Sequence, residues 1–383
     1  MGPLDGVTVI ELAAAGPAPF CAMLLSDLGA DVISVHRPST VGTAPDNPIA
    51  AMTQGTLGRG RRSVAIDLKS PDGLETAFQL LDRADVLIEG FRPGVTERLG
   101  LGPDDCLARN PSLVYGRMTG WGQEGPNARA AGHDINYVAL SGVLAHVGRR
   151  EQRPVPPLNL VGDFGGGGML LALGIVAALF EGRSSGRGQV VDSAMVDGSA
   201  LLMTMMYELL GRGAWDERRE ANLNDGGAPF YEVYETSDGK FVAVGAMEPK
   251  FYAELMNGLG IDASQLPDQW DRTEWPRTKE RLATAFRRRT RDEWCALLEG
   301  SDACVTPVLT MSEALHHPHN VARATFTEVG GVQQPAPAPR FSRTPTQVRW
   351  PPVPAGEHTD AVLAGLGFDD EQIATLRERG VVA

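Results

Sequence analysis

Cysteine is scarce in this 383-residue sequence and never forms a C-x-x-C pair: Cys21, Cys106, Cys295 and Cys304 stand apart. The pattern reads as reduced core or surface thiols in a cytosolic protein. Aromatic residues are few, at 6%, and lysine is rare beside arginine. Positive charge as a whole falls short, with 35 Lys+Arg against 48 Asp+Glu and a formal net charge of −13. Such a balance argues against a protein that coats nucleic acid, although it is compatible with a local basic pocket for an anionic ligand.

Long apolar runs are missing too. The longest, 169–180, is interrupted by Gly174. It suits a buried helix and is too short to span a bilayer. The N-terminus shows no basic region followed by an apolar stretch, and the C-terminal Gly-Val-Val-Ala is not the Ser-Lys-Leu address, so the expected location is the cytoplasm. After the first strand the chain reads Glu11-Leu-Ala-Ala-Ala-Gly-Pro-Ala-Pro, without G-x-G-x-x-G, and no G-x-x-x-x-G-K-[ST] occurs anywhere. Dinucleotide and P-loop sites therefore have no motif support.

What is present is ordinary globular composition, 43% apolar and 22% charged, at a length that suits two domains of roughly 100–200 residues each. Short β-branched runs at 7–12, 32–35, 64–68, 86–89 and 113–118 alternate with amphipathic segments. One of these opens Ser70-Pro71-Asp72, an N-cap followed by a first-turn proline and acid. The alternation predicts a Rossmann-like open parallel sheet, an α/β large domain over 1–200 that the C-terminal segment 333–383 completes. A linker spans 201–225. A smaller α+β domain follows over 226–332, with a hairpin from 229–236 to 241–245, helices near 249–259, 276–289 and 291–299, and a strand near 304–309. The stretch 333–354 carries seven prolines and reads as an extended crossing segment before a last helix at 369–379.

The glycines at 165–168 follow Asp163-Phe164 and precede the apolar run. Structurally they suit a helix-start turn that needs close backbone approach. Chemically they would set Asp163 beside amides at a positive helix end, which favours a carboxylate or a developing oxyanion. His316-His317-Pro318-His319 has no neighbouring cysteine or acidic ligand set and reads as a solvated helix terminus. His133 differs by its company, Gly132-His133-Asp134-Ile135-Asn136-Tyr137 at a helix start: an imidazole poised for proton transfer precedes a carboxylate. Spacing alone does not unite His133, Asp163 and Glu248.

The whole chain resembles the CoA-transferase III superfamily, and within it the branch of α-methylacyl-CoA racemases. The match rests on the 132–137 motif, Leu158-Asn-Leu-Val-Gly-Asp-Phe-Gly-Gly166, Gln189-Val-Val-Asp-Ser-Ala-Met-Val-Asp197, Asp225-Gly-Gly-Ala-Pro229, Val244-Gly-Ala-Met-Glu248 and Asp302-Ala-Cys-Val-Thr-Pro-Val308. The resemblance implies that His133 and Asp163 act as acid and base on opposite faces of a substrate α-carbon. Asp134 would serve the thioester oxygen through its backbone amide, and Glu248 would orient His133. For the CoA part it implies Arg37, Ile66, Asp67, Leu68, Lys69, Gly90, Phe91, Arg92, Pro93, Gly94 and Arg98, with Gly132, Ile135, Asn136 and Tyr137. It further implies an interlocked homodimer, with the site between the large domain of one protomer and the small domain of the other.

The implied reaction, interconversion of (R)- and (S)-2-methylacyl-CoA through an enolate, needs one base per face in opposite protonation states. An imidazole and a carboxylic acid can share the task if burial raises the carboxyl pKa. It requires no metal or redox cofactor, CoA being part of the substrate, and neither nucleic acid nor membrane as partner. Arg59, Arg61, Arg62 and Lys69, joined by Arg92 and Arg98, read either as a solvated cluster or as forks for the CoA phosphates. Two rival readings remain: a family III CoA-transferase using Asp163 as nucleophile, and a catalytically silent CoA-binding protein. A His-Asp pair at 133–134 and a 245–250 loop that is not glycine-rich favour the racemase.

Overall fold

The computed structural model describes residues 2–43 and 55–383. These divide into two compact units: Met1–Ser141 with Leu158–Leu202 and Arg323–Ala383, and Gly142–Pro157 with Met203–Ala322.

In the first unit, six strands form an all-parallel sheet: β1 Thr8–Leu12, β2 Asp31–His36, β3 Arg62–Ala65, β4 Val86–Glu89, β5 Val114–Thr119 and β6 Val190–Ala194. Their spatial order is β3-β2-β1-β4-β5-β6. All five runs read as strands from the sequence are strands, 86–89 with both ends in place and the others with ends displaced by no more than three residues. Successive residues point to opposite faces. Ile10, Leu12, Ile33, Val35 and Leu87 therefore join one core, beside the helix Pro71–Leu81 and the C-terminal helices Thr359–Leu366 and Asp370–Glu378. Val9, Val32, Val86, Ile88 and Val114 join the other, under the helices Pro17–Asp27 and Leu170–Ser185. Both faces of the central strands are covered, so β1, β2 and β4 are rich in buried Val, Ile and Leu, as a parallel sheet requires. Ser70 caps its helix as its position predicts, its Oγ accepting from the Gly73 N–H at 3.0 Å.

The glycine-rich stretch departs from expectation. It lies inside a π-type helical segment, Leu160–Met169, that runs straight into Leu170–Ser185. The helix is thus 26 residues long, Leu160–Ser185, and apolar enough by length and composition to cross a membrane, so the exclusion argued from the 169–180 run does not hold. Glycine lets this helix touch its neighbours backbone to backbone. A β-carbon on Gly166 would stand 2.7 Å from the Ser199 nitrogen, and one on Gly198 would collide with the Gly166 carbonyl oxygen.

The proline-rich segment is not extended throughout. Its first residues, 333–335, lie in β11 Val332–Pro335, which pairs antiparallel with β10 Phe326–Val329 just before it, and the helix Thr359–Leu366, beyond its end, has no counterpart in the sequence reading. The second unit holds a three-stranded antiparallel sheet ordered β7 Tyr231–Glu235, β8 Phe241–Gly245, β9 Val305–Pro307. Its core gathers Phe230, Tyr234, Phe286 and Trp294 against the helices Pro249–Gly258, Trp275–Phe286 and Arg291–Leu298.

Candidate active site

Strand order reverses between β1 and β4. At such a switch point the loops leaving the two strands part in opposite directions and open a crevice at their carboxyl ends. A cavity of about 390 Å³ lies there, lined by Ala15, Gly16 and Pro17 after β1, by Gly90, Phe91, Arg92 and Pro93 after β4, and by Gly120 and Trp121 after β5. Gly132, His133, Tyr137, Asn159, Asp163 and Phe164 line it too, with Leu57, Met118 and Met195 adding apolar wall.

His133 precedes the helix Asp134–Leu140 in extended backbone, and its N–H donates to Asn136 Oδ1 at 3.0 Å. The next residue, Asp134, is buried, and its Oδ1 accepts the Asp163 backbone N–H at 2.8 Å. Asn159, one helical turn before Asp163, donates its side-chain amide to Asp163 Oδ2 at 3.0 Å. Burial pushes the Asp163 carboxyl above the usual aspartate range; the Asn159 hydrogen bond opposes this, the Asp134 charge adds to it and His133 opposes it. Burial, then the neighbouring Asp163, pushes the Tyr137 phenol up to about 12. Tyr137 packs edge-on against Trp121, ring centroids 4.7 Å apart. A titratable imidazole and a carboxyl biased toward its neutral form thus line one largely apolar cavity, an arrangement suited to moving a proton on and off carbon.

The residues expected around CoA differ in burial and in whether they line the cavity. Gly90, Phe91, Arg92, Pro93, Gly132 and Tyr137 line the cavity, with Tyr137 anchored in the sheet core. Arg37 after β2, Lys69 after β3, Arg98 on the short helix Val95–Arg98, and Ile135 and Asn136 on the His133 helix are exposed. Gly94 starts the Arg98 helix in left-handed backbone, φ 82°. Asp67 and Leu68 are half-buried, the Asp67 carboxylate accepting the Lys69 N–H at 3.1 Å. Ile66 offers no side chain: it is in the core, and its N–H donates to the His36 carbonyl at 2.9 Å. Beneath the 90–94 loop, buried Glu89 accepts the Phe91 N–H at 2.7 Å and pairs with Arg117 at 2.9 Å. Glu248 belongs to the second unit, where it precedes Pro249 at the start of Pro249–Gly258.

The reading of Arg59, Arg61 and Arg62 as phosphate forks is overturned. Arg59 pairs with Asp27 and Arg61 with Glu11, each at 2.5 Å with both partners buried, and half-buried Arg62 pairs with Asp31. Their charges hold strand ends and the C-terminal hairpin together, Arg59 reaching Gln334 Oε1 at 2.7 Å. Met195 lines the cavity, whereas Met203, Met205 and Met206 lie in the second unit. Among the described residues no group of three or more His, Cys, Asp or Glu could hold a metal ion, and His317 pairs with Glu299 at 2.8 Å.

Sequence reasoning assigned no role to Asn159, Trp121 or Phe164. For Asn159 a signal existed: once 160–169 is helical, the spacing to Asp163 places the two side chains on one face.

The profile of CoA-transferase family III matches residues 4–359. The chain is 49% identical over 383 residues to the α-methylacyl-CoA racemase of Mus musculus, covering 99% of this chain and 97% of that one. It is 45% identical over 381 residues to the Homo sapiens protein of that name, with the same coverage. Among solved structures, a CaiB/BaiF family protein from Brucella suis superposes with a TM-score of 0.81 at 27% identity, covering 95% of this chain and 99% of that one.

Proposed function

The chain belongs to CoA-transferase family III, and from that premise we propose that it is an isomerase interconverting (R)- and (S)-2-methylacyl-CoA thioesters. The observation that carries the reading is the pairing, in one largely apolar cavity, of His133 with Asp163, whose carboxyl burial pushes above the usual aspartate range. Identity of 45–49% over nearly the whole chain to two racemases supports it over a CoA-transfer role.

In this reading one of the two side chains removes the α-proton. The C–H electron pair becomes the C=C bond of an enolate, and the thioester oxygen takes the negative charge. The other side chain then delivers a proton to the opposite face. Acid–base positioning of this kind contributes about 10²–10⁴-fold. The Asp134 amide, in the first helical turn and without an intrahelical acceptor, is assigned to the enolate oxygen, where one donor is worth roughly 10²–10³ in rate. A proton taken by one side chain and returned by another calls for no metal or redox group. Exposed Arg37, Lys69 and Arg98 and cavity-lining Arg92 are assigned to the CoA phosphates.

A homodimer completes the site in this reading. The Leu160–Ser185 helix and its surroundings expose Leu158, Leu160, Met169, Leu173 and Phe180, with Leu201 and Leu202 nearby in sequence. An apolar face of that extent needs cover, and a second copy would both cover it and bring Glu248 to His133. Packing of Leu171, Ala172, Ile175 and Ala178 into the sheet core supports a core role for this helix rather than a membrane span. Four free thiols suit the reducing cytoplasm.

The test is proton NMR in deuterium oxide with (R)- and, separately, (S)-2-methylacyl-CoA and no carboxylate acceptor. Loss of the α-proton signal from both, converging on one enantiomer ratio, is the expected result. Retention of the α-proton, with CoA exchange only when an acid is added, would make Asp163 a transferase nucleophile.

A further inference from the structure

We propose that the Asp134 carboxylate is a positioning group that couples the two proton-transfer side chains, pinning the Asp163 backbone amide while its own backbone carries His133. This rests on the racemase reading of the pair and deepens it.

Asp134 follows His133 directly, so wherever its carboxylate is anchored the imidazole's attachment point is anchored with it. The anchor is the Asp163 N–H, 2.8 Å from Oδ1 and 29 residues away in sequence. The geometry is unlike ordinary helix capping. A capping side chain normally comes from the residue just before the helix. Here that residue is Asn159, and its amide is turned instead to the Asp163 carboxylate. The Asp163 amide, one position beyond those a local cap reaches, is met by a carboxylate from another helix. Asp163 is thereby held at its backbone by Asp134 and at its side chain by Asn159.

The space around the contact is fitted to it. A β-carbon on Gly162 would stand 2.4 Å from Asp134 Oδ1, so residue 162 can carry no side chain while the carboxylate sits where it does. Asp134 is 7% exposed, and a buried carboxylate keeps its place only with hydrogen-bond partners. Its charge also acts on Asp163. The titratable groups around Asp163 are His133, Asp134 and Tyr137, with Arg92 lining the same cavity. Of these Asp134 favours the neutral carboxyl and His133 the charged one. Removing the Asp134 charge therefore lowers the Asp163 pKa and moves the acid limb of the pH–rate profile to lower pH.

The experiment measures α-proton exchange of 2-methylacyl-CoA in deuterium oxide across pH for the full-length wild-type protein, D134N, D134A, G162A and D134A/G162A, with thermal unfolding of each. Exchange by the wild type is the entry condition; if it exchanges nothing, the racemase reading itself fails, whatever the variants do. With an active wild type, D134N keeps the acceptor oxygen and loses the charge: kcat stays within about threefold and the acid limb moves down. D134A loses both, and kcat falls about 10–100-fold with KM within about twofold, the scale expected of a reacting group misplaced by 1 Å. G162A displaces the carboxylate and reproduces the D134A loss, and the double variant is no slower than the slower single one. If D134A does not fold, D134N and G162A still decide. The proposal is overturned if D134A matches wild type, if D134N falls as far as D134A with an unmoved limb, or if the D134A and G162A losses multiply.

Discussion

The side-chain amide of Asn159 donates to Asp163 Oδ2 at 3.0 Å, across one turn of the wide helical segment that begins at Leu160. This hydrogen bond favours the charged carboxylate while burial favours the neutral one, and burial prevails. Asn159→Ala removes the opposing influence, so the Asp163 pKa rises further and the acid limb of the exchange rate moves to higher pH. A hydrogen bond to a charged group contributes about 1.5–3 kcal/mol when buried, and half-buried Asp163 sets the lower end, about tenfold in rate. A pH profile coincident with wild type would sink the assignment.

His133→Ala separates the two directions of proton transfer. Racemisation falls by about 10²–10⁴ in both directions, because each needs both groups. Exchange without inversion divides: the enantiomer whose proton Asp163 removes continues to take up deuterium, and the other does not. Asp163→Ala shows the opposite preference. Chiral analysis of partly deuterated thioester reads this out, and equal loss for both enantiomers in either variant would weaken the two-face assignment.

Arg59 and Arg92 make contrasting predictions. Arg59→Met strands Asp27 as a buried, unpaired charge, and breaking such a pair costs about 3–5 kcal/mol. Urea unfolding should register that loss while KM for the thioester stays put. Arg92→Ala, at an exposed position on the cavity, should leave unfolding unchanged and raise KM about tenfold, with weaker salt dependence than wild type. Reversal of the two outcomes would restore the reading of Arg59 as a phosphate ligand.

Gly166→Ala should destabilise the fold by at least about 1–3 kcal/mol. The added methyl would meet the Ser199 nitrogen at 2.7 Å and the Gly198 carbonyl carbon at 2.8 Å, and neither backbone atom can swing aside as a side chain would. Gly165→Ala, where the nearest atom is 3.1 Å away and the next is the tip of Leu202 at 3.5 Å, serves as the milder control.

The parallel sheet was legible because burial on both faces leaves a plain signature: short β-branched runs, each bounded by turn residues and followed by a cap such as Ser70. His133 stood out for the same local reason, its position before a first helical turn. What escaped was set by contacts distant in sequence. The glycines at 165–168 read as a helix-start turn and not as the inside of a helix over 160–169, because the backbones that Gly166 and Gly168 admit, at Ser199 and at Pro17, come from other elements. Arg59 and Arg61 looked like a ligand site because their partners, Asp27 and Glu11, come from other elements 32 and 50 residues earlier. The Asp134–Asp163 contact spans 29 residues and leaves no periodic trace.

The glycine seam at 166–168 divides the labour of adaptation. The wall that bears Asp163 rests on neighbouring backbone at Gly166 and Gly168 and on the Met195 and Pro17 side chains at Gly167, so exchange of those glycines disturbs the wall that carries the reacting carboxyl. Across a lineage, tolerance for new acyl chains must then accumulate elsewhere, at positions such as Leu57 and Met118 whose side chains line the cavity. An engineer seeking a different chain length would randomise those two and leave the glycines alone.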